Sequence, residues 1–281
     1  MRWQRRGRSA NLEDRRGRGG GAMKLGAGGI IVLLVISLLT GRNLLDDTGG
    51  GALTTGTEGG ALTPADSAAE EEMVEFMSFV LDDAQDTWQR LFGESGATYR
   101  DARLVLFRQA VQSQCGVGQS GMGPFYCPLD ENVYLDLSFF EELHQRFGAP
   151  GDFAQAYVVA HEIGHHVQHQ LGTADKVRAA QRNNPRQANA LSVMMELQAD
   201  CYAGIWGSST ARRDMLERGD VEEALGAASA IGDDRLQAQV EGQVNPESFT
   251  HGTAEQRAEW FRRGMTTGDP GTGDTFDGVG G

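Results

Sequence analysis

Cysteine is scarce: the 281-residue chain has three, Cys115, Cys127 and Cys201. Three cysteines allow one bridge at a time and three pairings, so the sequence cannot choose among them rigorously. Cys115 and Cys127 bracket Gly116, Gly118, Gly121 and Gly123, a flexible segment able to bring them together. If the body is exported, a Cys115–Cys127 disulfide is the expected pairing, against the alternative of ordinary buried thiols. Basic residues are also thin outside one place. Eight Arg or Lys against two acids make the first 24 residues +6, so the rest carries −20 of a chain total of −14. So acidic a body lacks the basic face that phosphate binding needs, which argues against a nucleic-acid partner. No internal repeat is evident, and nothing signals an oligomeric state.

Long apolar runs are missing except for one. Leu25 to Gly41 is uncharged and contains Ile30-Ile31-Val32-Leu33-Leu34-Val35-Ile36. Its seventeen residues sit at the short end of the roughly 17–25 that span a hydrocarbon core. No A-x-A-like site follows it, which disfavours a cleaved signal peptide, the main alternative. Basic residues precede the run and a lone Arg42 follows, which places the N-terminus in the cytoplasm and the body outside. The expected organisation is a basic cytoplasmic segment (1–24), a transmembrane anchor (25–41) and a flexible linker (42–69). A single domain (70–265) and a disordered, glycine-rich tail (266–281) follow. Linker and tail have too few apolar residues to bury a core.

Within the domain, Met73, Phe76, Met77, Val80 and Leu81 recur at helical spacing, continued by Trp88 and Leu91 as far as Gly93. Short β-rich runs at 104–107, 125–126 and 133–135 predict strands around the glycine-rich segment. Further helices are expected at 152–171, stopped by Gly172, and from Asn184-Pro185 to 205. Shorter ones are expected at 220–231, 235–243 and 254–263. The fold class is α+β: mostly helical, with a small antiparallel sheet, preceded by one transmembrane helix.

His161-Glu162-Ile163-Gly164-His165 is an H-E-x-x-H sequence. On a helix, histidines at i and i+4 share a face and can grip one metal ion, while the intervening Glu points to metal-bound water. A merely histidine-rich helix is the bland alternative, since His166 and His169 lie on it too. Catalytic zinc needs a third protein ligand. On the next long helix Glu196 and Asp200 stand at i and i+4 among apolar residues. A metal for one and a ligating histidine N–H for the other would satisfy both.

H-E-x-G-H followed by E-x-x-x-D resembles the Glu-zincin metallopeptidases. More closely, the chain resembles a bacterial family of neutral zinc metallopeptidases. The likeness runs from the basic start and apolar run through His161–Gln168 and Glu196–Gly204 to Thr250–Arg257. The resemblance implies a zincin-like metallopeptidase domain and gives no substrate; together with the expected topology, the expected activity is hydrolysis of extracytoplasmic protein or peptide. The domain's Zn2+ would be held by His161, His165 and Glu196, with Glu162 as general base and Asp200 orienting a ligand. The oxyanion needs a further donor, for which His251 and Tyr202 are the candidates. The alternative function is a non-catalytic binding or scaffolding protein stabilised by zinc.

Overall fold

The computed structural model describes residues 1–17, 64–240 and 243–276. The expected anchor at 25–41 and most of the expected linker lie outside the described residues. Among those described, no helix is long and apolar enough to cross a membrane. Met1–Gly17 and the chain from Glu70 onward form one compact unit.

Strand β1 (Leu12–Asp14) is followed, after the undescribed stretch, by helix α1 (Pro64–Glu94). The expected linker thus ends early, since Pro64 to Ala69 already belong to α1. The apolar stripe of α1 buries Phe76, Met77, Val80, Leu81 and Trp88. Strands β2 (Arg103–Phe107), β3 (Ala110–Ser113), β4 (Gly116–Gln119), β5 (Phe125–Cys127) and β6 (Asn132–Asp136) come next. The main sheet runs β1-β2-β6-β5, and β3 and β4 form a separate hairpin. β1, β2 and β6 are parallel and only β5 runs antiparallel, so the sheet is mixed and not the antiparallel one expected. The difference arises already from the parallel β2–β6 pair, and β1, which the sequence reading omits, adds a second parallel pair.

That strand also revises the expected 1–24 segment. Leu12 pairs with Leu104 and Asp14 with Leu106, while Trp3 packs on Phe76 at 5.2 Å between ring centroids. Arg16 pairs with Asp14 at 2.7 Å, and Arg8 with Glu71 at 2.6 Å. Much of the basic charge that reads as a topology signal is therefore spent on carboxylates of the domain itself.

Helices α2 (Ser138–Gln145), α3 (Asp152–Gln170), α4 (Thr173–Asn183) and α5 (Ala188–Arg212) follow the sheet. Then come α6 (Asp220–Ala230), α7 (Asp233–Val240) and α8 (Ala254–Thr267). α3 packs against β5 and β6 on one side and against α5 on another, and α8 packs on α5. The α5–α8 crossing depends on missing side chains. A Cβ on Gly264 would strike the Cys201 carbonyl, and one on Gly204 would lie 2.8 Å from the Met265 nitrogen. α8 starts with a capping box formed by Thr253 and Gln256.

The tail expected to be disordered from 266 is placed as far as Phe276. α8 continues to Thr267, and a 3-10 turn covers Pro270–Gly273. The Gln198 side chain donates to the Gly273 carbonyl at 2.8 Å, and Thr275 donates to the Met194 carbonyl at 2.7 Å. Backbone groups, which composition does not report, hold this segment against α5.

Candidate metal centre and cleft

One glycine lets the two site helices meet. A Cβ on Gly164 would lie 3.0 Å from the Ala199 carbonyl oxygen and 3.1 Å from its Cα. That is tighter than ordinary packing, so the glycine inside H-E-x-G-H sets how closely α3 approaches α5. Glu196 and Asp200 flank the contact and are thereby brought to the histidine face.

Ligand atoms of His161, His165 and Glu196 all lie within 4.8 Å of one another. The Nε2 of His161 is 3.2 Å from Glu196 Oε2, and the Nε2 of His165 is 3.4 Å from Glu196 Oε1. Each opposite ring nitrogen has its own acceptor. His161 Nδ1 is 2.8 Å from Asp200 Oδ1, and His165 Nδ1 is 2.8 Å from Gln168 Oε1. With the protons on Nδ1, two imidazole lone pairs face a carboxylate with nothing positive between them. Such an arrangement calls for a cation. Two imidazole nitrogens and a carboxylate oxygen form a donor set that fits zinc, with a further position left for water.

The protonation equilibria of these groups respond to the same field. Burial pulls the His161 pKa down, but Asp200 and Glu196 outweigh it and raise it to about 10. Burial pushes Glu196 up, and the two histidines overcome this and hold it well below the carboxylate range. Glu162 lies between the histidines in sequence, is 7% exposed, and has its pKa raised by burial.

Asp200 is fully buried and accepts three side-chain donors besides His161. Arg257 approaches it with Nε at 2.9 Å and Nη2 at 3.0 Å, and the Tyr157 hydroxyl donates to it. Arg257, from α8, is itself only 1% exposed. Its Nη2 lies 3.9 Å from Glu196 Oε2. His161, Glu162, His165, Glu196, Tyr157 and Arg257 line a cleft of about 720 Å3, together with Phe125, Tyr126, Phe139, Arg146, Arg178 and His251.

The family model described as "Putative neutral zinc metallopeptidase" matches residues 1–276. The chain belongs to that family. Among its relatives is the "Uncharacterized protein YpfJ" of Escherichia coli (strain K12). The two are 49% identical over 286 residues, covering 98% of this chain and 99% of the relative. The "Uncharacterized protein Rv2575" of Mycobacterium tuberculosis (strain H37Rv) is 44% identical over 189 residues, 63% of each chain. No solved structure matches.

Of the two donor candidates in this metallopeptidase family member, only one lines the cleft. His251 does so, with Nδ1 3.1 Å from Asp233 Oδ1. Asp233 also accepts from the backbone nitrogens of Thr250 and His251, at 2.6 Å each. Tyr202 is buried elsewhere, 5.1 Å from Trp88 between ring centroids and against Gly273. It is therefore withdrawn as a donor. Cys115 and Cys127 form a disulfide, and Cys201 is a buried free thiol. The bridge ties the β3–β4 hairpin to β5, and the residues between them, Ser120 to Tyr126, form one wall of the cleft. The sequence reading missed Arg257, Tyr157 and Gln168 as partners of the site. Its one available signal was that Asp200, on an apolar helix face, needed more than one donor.

Proposed function

We propose that the chain is a zinc-dependent peptidase acting on protein or peptide outside the cytoplasm. The observation that carries this is the convergence of His161, His165 and Glu196 beside Glu162 on the floor of an open cleft. When bound, zinc would supply an acidified water and polarise the scissile carbonyl. Glu162 takes the water proton and returns it to the leaving amine; burial, by raising its pKa, favours holding that proton in between. Asp200 keeps His161 turned with Nε2 toward the metal position. His251 donates to the developing oxyanion. β5 is an edge strand of the sheet and its Phe125 and Tyr126 line the cleft, which supports an extended peptide lying alongside it. The Cys115–Cys127 bridge supports an oxidising compartment.

A zinc-stabilised scaffold is less well supported. Structural sites are closed by four protein ligands, whereas this group holds three and faces a cleft.

Metal content and peptide cleavage, measured on five variants, test the reading. His161→Ala, His165→Ala and Glu196→Ala should each lower zinc occupancy. Asp200→Asn should weaken zinc binding roughly 10–100-fold. Glu162→Gln should keep zinc and lose at least about 10²–10⁴-fold in hydrolysis. Loss of zinc in Glu162→Gln as complete as in His161→Ala would make Glu162 a ligand and defeat the assignment.

A further inference from the structure

The two histidines of the centre are held by different chemistry. His161 donates to a carboxylate, itself gripped by a guanidinium. His165 donates to a neutral amide, Gln168, which is completely buried. An amide can face either way, and which way it faces decides whether its imidazole partner must be a donor or an acceptor.

The direction of Gln168 is determined from its other end. Its nitrogen donates to the Met195 carbonyl at 2.7 Å and to Gln198 Oε1 at 3.1 Å. Both partners are acceptors, so the Gln168 oxygen is the end presented to His165. Gln198 is 5% exposed and has the same ambiguity. Its nitrogen donates to the Gly273 carbonyl at 2.8 Å, which turns its oxygen to Gln168. A backbone carbonyl in the C-terminal segment therefore sets the sense of one amide, that amide sets the next, and the second sets the proton on His165. The consequence is a proton at Nδ1 and a lone pair at Nε2, the nitrogen 3.4 Å from Glu196.

We infer that Gln168 and Gln198 are positioning residues for His165. Through them, the C-terminal segment Pro270–Phe276 is a working part of the metal site. The inference rests on the zinc reading above for its function, though not for its geometry. It also gives a reason for the tail to be anchored on backbone groups: a carbonyl cannot reverse its polarity, whereas a glutamine can.

The test is a cycle of Gln168→Leu, Gln198→Leu and the double variant, with zinc affinity measured by chelator competition and thermal midpoints measured alongside. Gln168→Leu should weaken zinc binding on the order of 10–100-fold. Gln198→Leu should weaken it by a smaller factor, on the order of 3–10-fold, because the Met195 carbonyl still holds one donor of Gln168. The double variant should be no weaker than Gln168→Leu alone, since Gln198 acts through a group already removed. Ending the chain at Gly268 should add nothing to Gln198→Leu; if that shortened chain does not fold, the point variants decide. Factors that multiply in the double variant, or unchanged affinity in Gln168→Leu, overturn the relay. A second readout needs no zinc. In metal-free protein, at a pH where His165 is neutral, nitrogen-15 NMR should show the Nδ1–H form in the wild type and a substantial Nε2–H population in Gln168→Leu. If the wild type takes up no zinc, the proposed function fails, and this spectrum alone decides the relay.

Discussion

Arg257 is the residue on which the site leans most heavily without being a proposed ligand itself: it grips Asp200 and its Nη2 also comes to 3.5 Å from His161 Nδ1. It and Asp200 are both buried, so removing one strands the other. Arg257→Leu should cost roughly 3–5 kcal/mol of stability in urea unfolding, and Arg257→Leu with Asp200→Leu should recover part of that loss. A cost below about 1 kcal/mol for the single change would show that water or another donor already serves Asp200. The sequence shows the motif residues because H-E-x-x-H and E-x-x-x-D are local patterns, set by one helical turn. Arg257 stands 57 residues from Asp200, and no spacing rule links them. The Tyr202 assignment had a local remedy: two residues beyond Asp200 is about 200° around the helix, which points it away from the site.

At the scale of elements, the strap formed by β1 and the wall formed by the disulfide-closed segment each make a separate forecast. Asp14 on β1 is bound by Arg16, which holds its pKa down at about 2. A carboxylate lowered in the folded state stabilises fully above its unfolded value of about 4, and the benefit fades as pH falls toward 2. Docking of β1 should therefore weaken modestly across that window, by less than the shift alone implies, because the Asp14–Arg16 pair is local and partly solvated. Amide-exchange protection of Leu12–Asp14, corrected for intrinsic rates, should fall between pH 5 and 2.5, and constant protection would refute it. The wall is tied by one bridge with a sequence separation of 12. Cys115→Ser with Cys127→Ser should lose roughly 2–3 kcal/mol and raise KM more than it lowers kcat, because Ser120 to Tyr126 shape the cleft. A thermal midpoint unaffected by the pair of substitutions would mean the bridge constrains nothing. Helices α1, α3, α5, α6, α7 and α8 and the strands β2, β5 and β6 were legible, most of their ends within a few residues, because their apolar patterning is strong, whereas the short helices α2 and α4 were not expected. β1 was not: Leu12-Glu13-Asp14 is three residues long, two of them acids, and it becomes a strand only because the β2 edge is there to receive it.

For the whole molecule, composition located the domain but misjudged its limits at both ends. Charge and glycine content describe what a segment can bury by itself, not which carbonyls or carboxylates of a distant element await it. Hydrogen-bonded neighbours must share one aqueous phase, and β1 is such a neighbour of β2. A polypeptide leaving β1 and returning at α1 must then re-emerge from any bilayer on the face where it entered, an even parity of crossings. The seventeen-residue run from Leu25 to Gly41 is enough for about one helical passage. The docked fold and a single passage thus exclude one another. Sidedness decides between them: Ala10→Cys and Gln89→Cys, both at exposed positions, should react alike with an impermeant maleimide, in intact cells and after permeabilisation. Opposite sidedness would mean that in the cell β1 is parted from its sheet, and that the sheet's β2 edge is open to another strand.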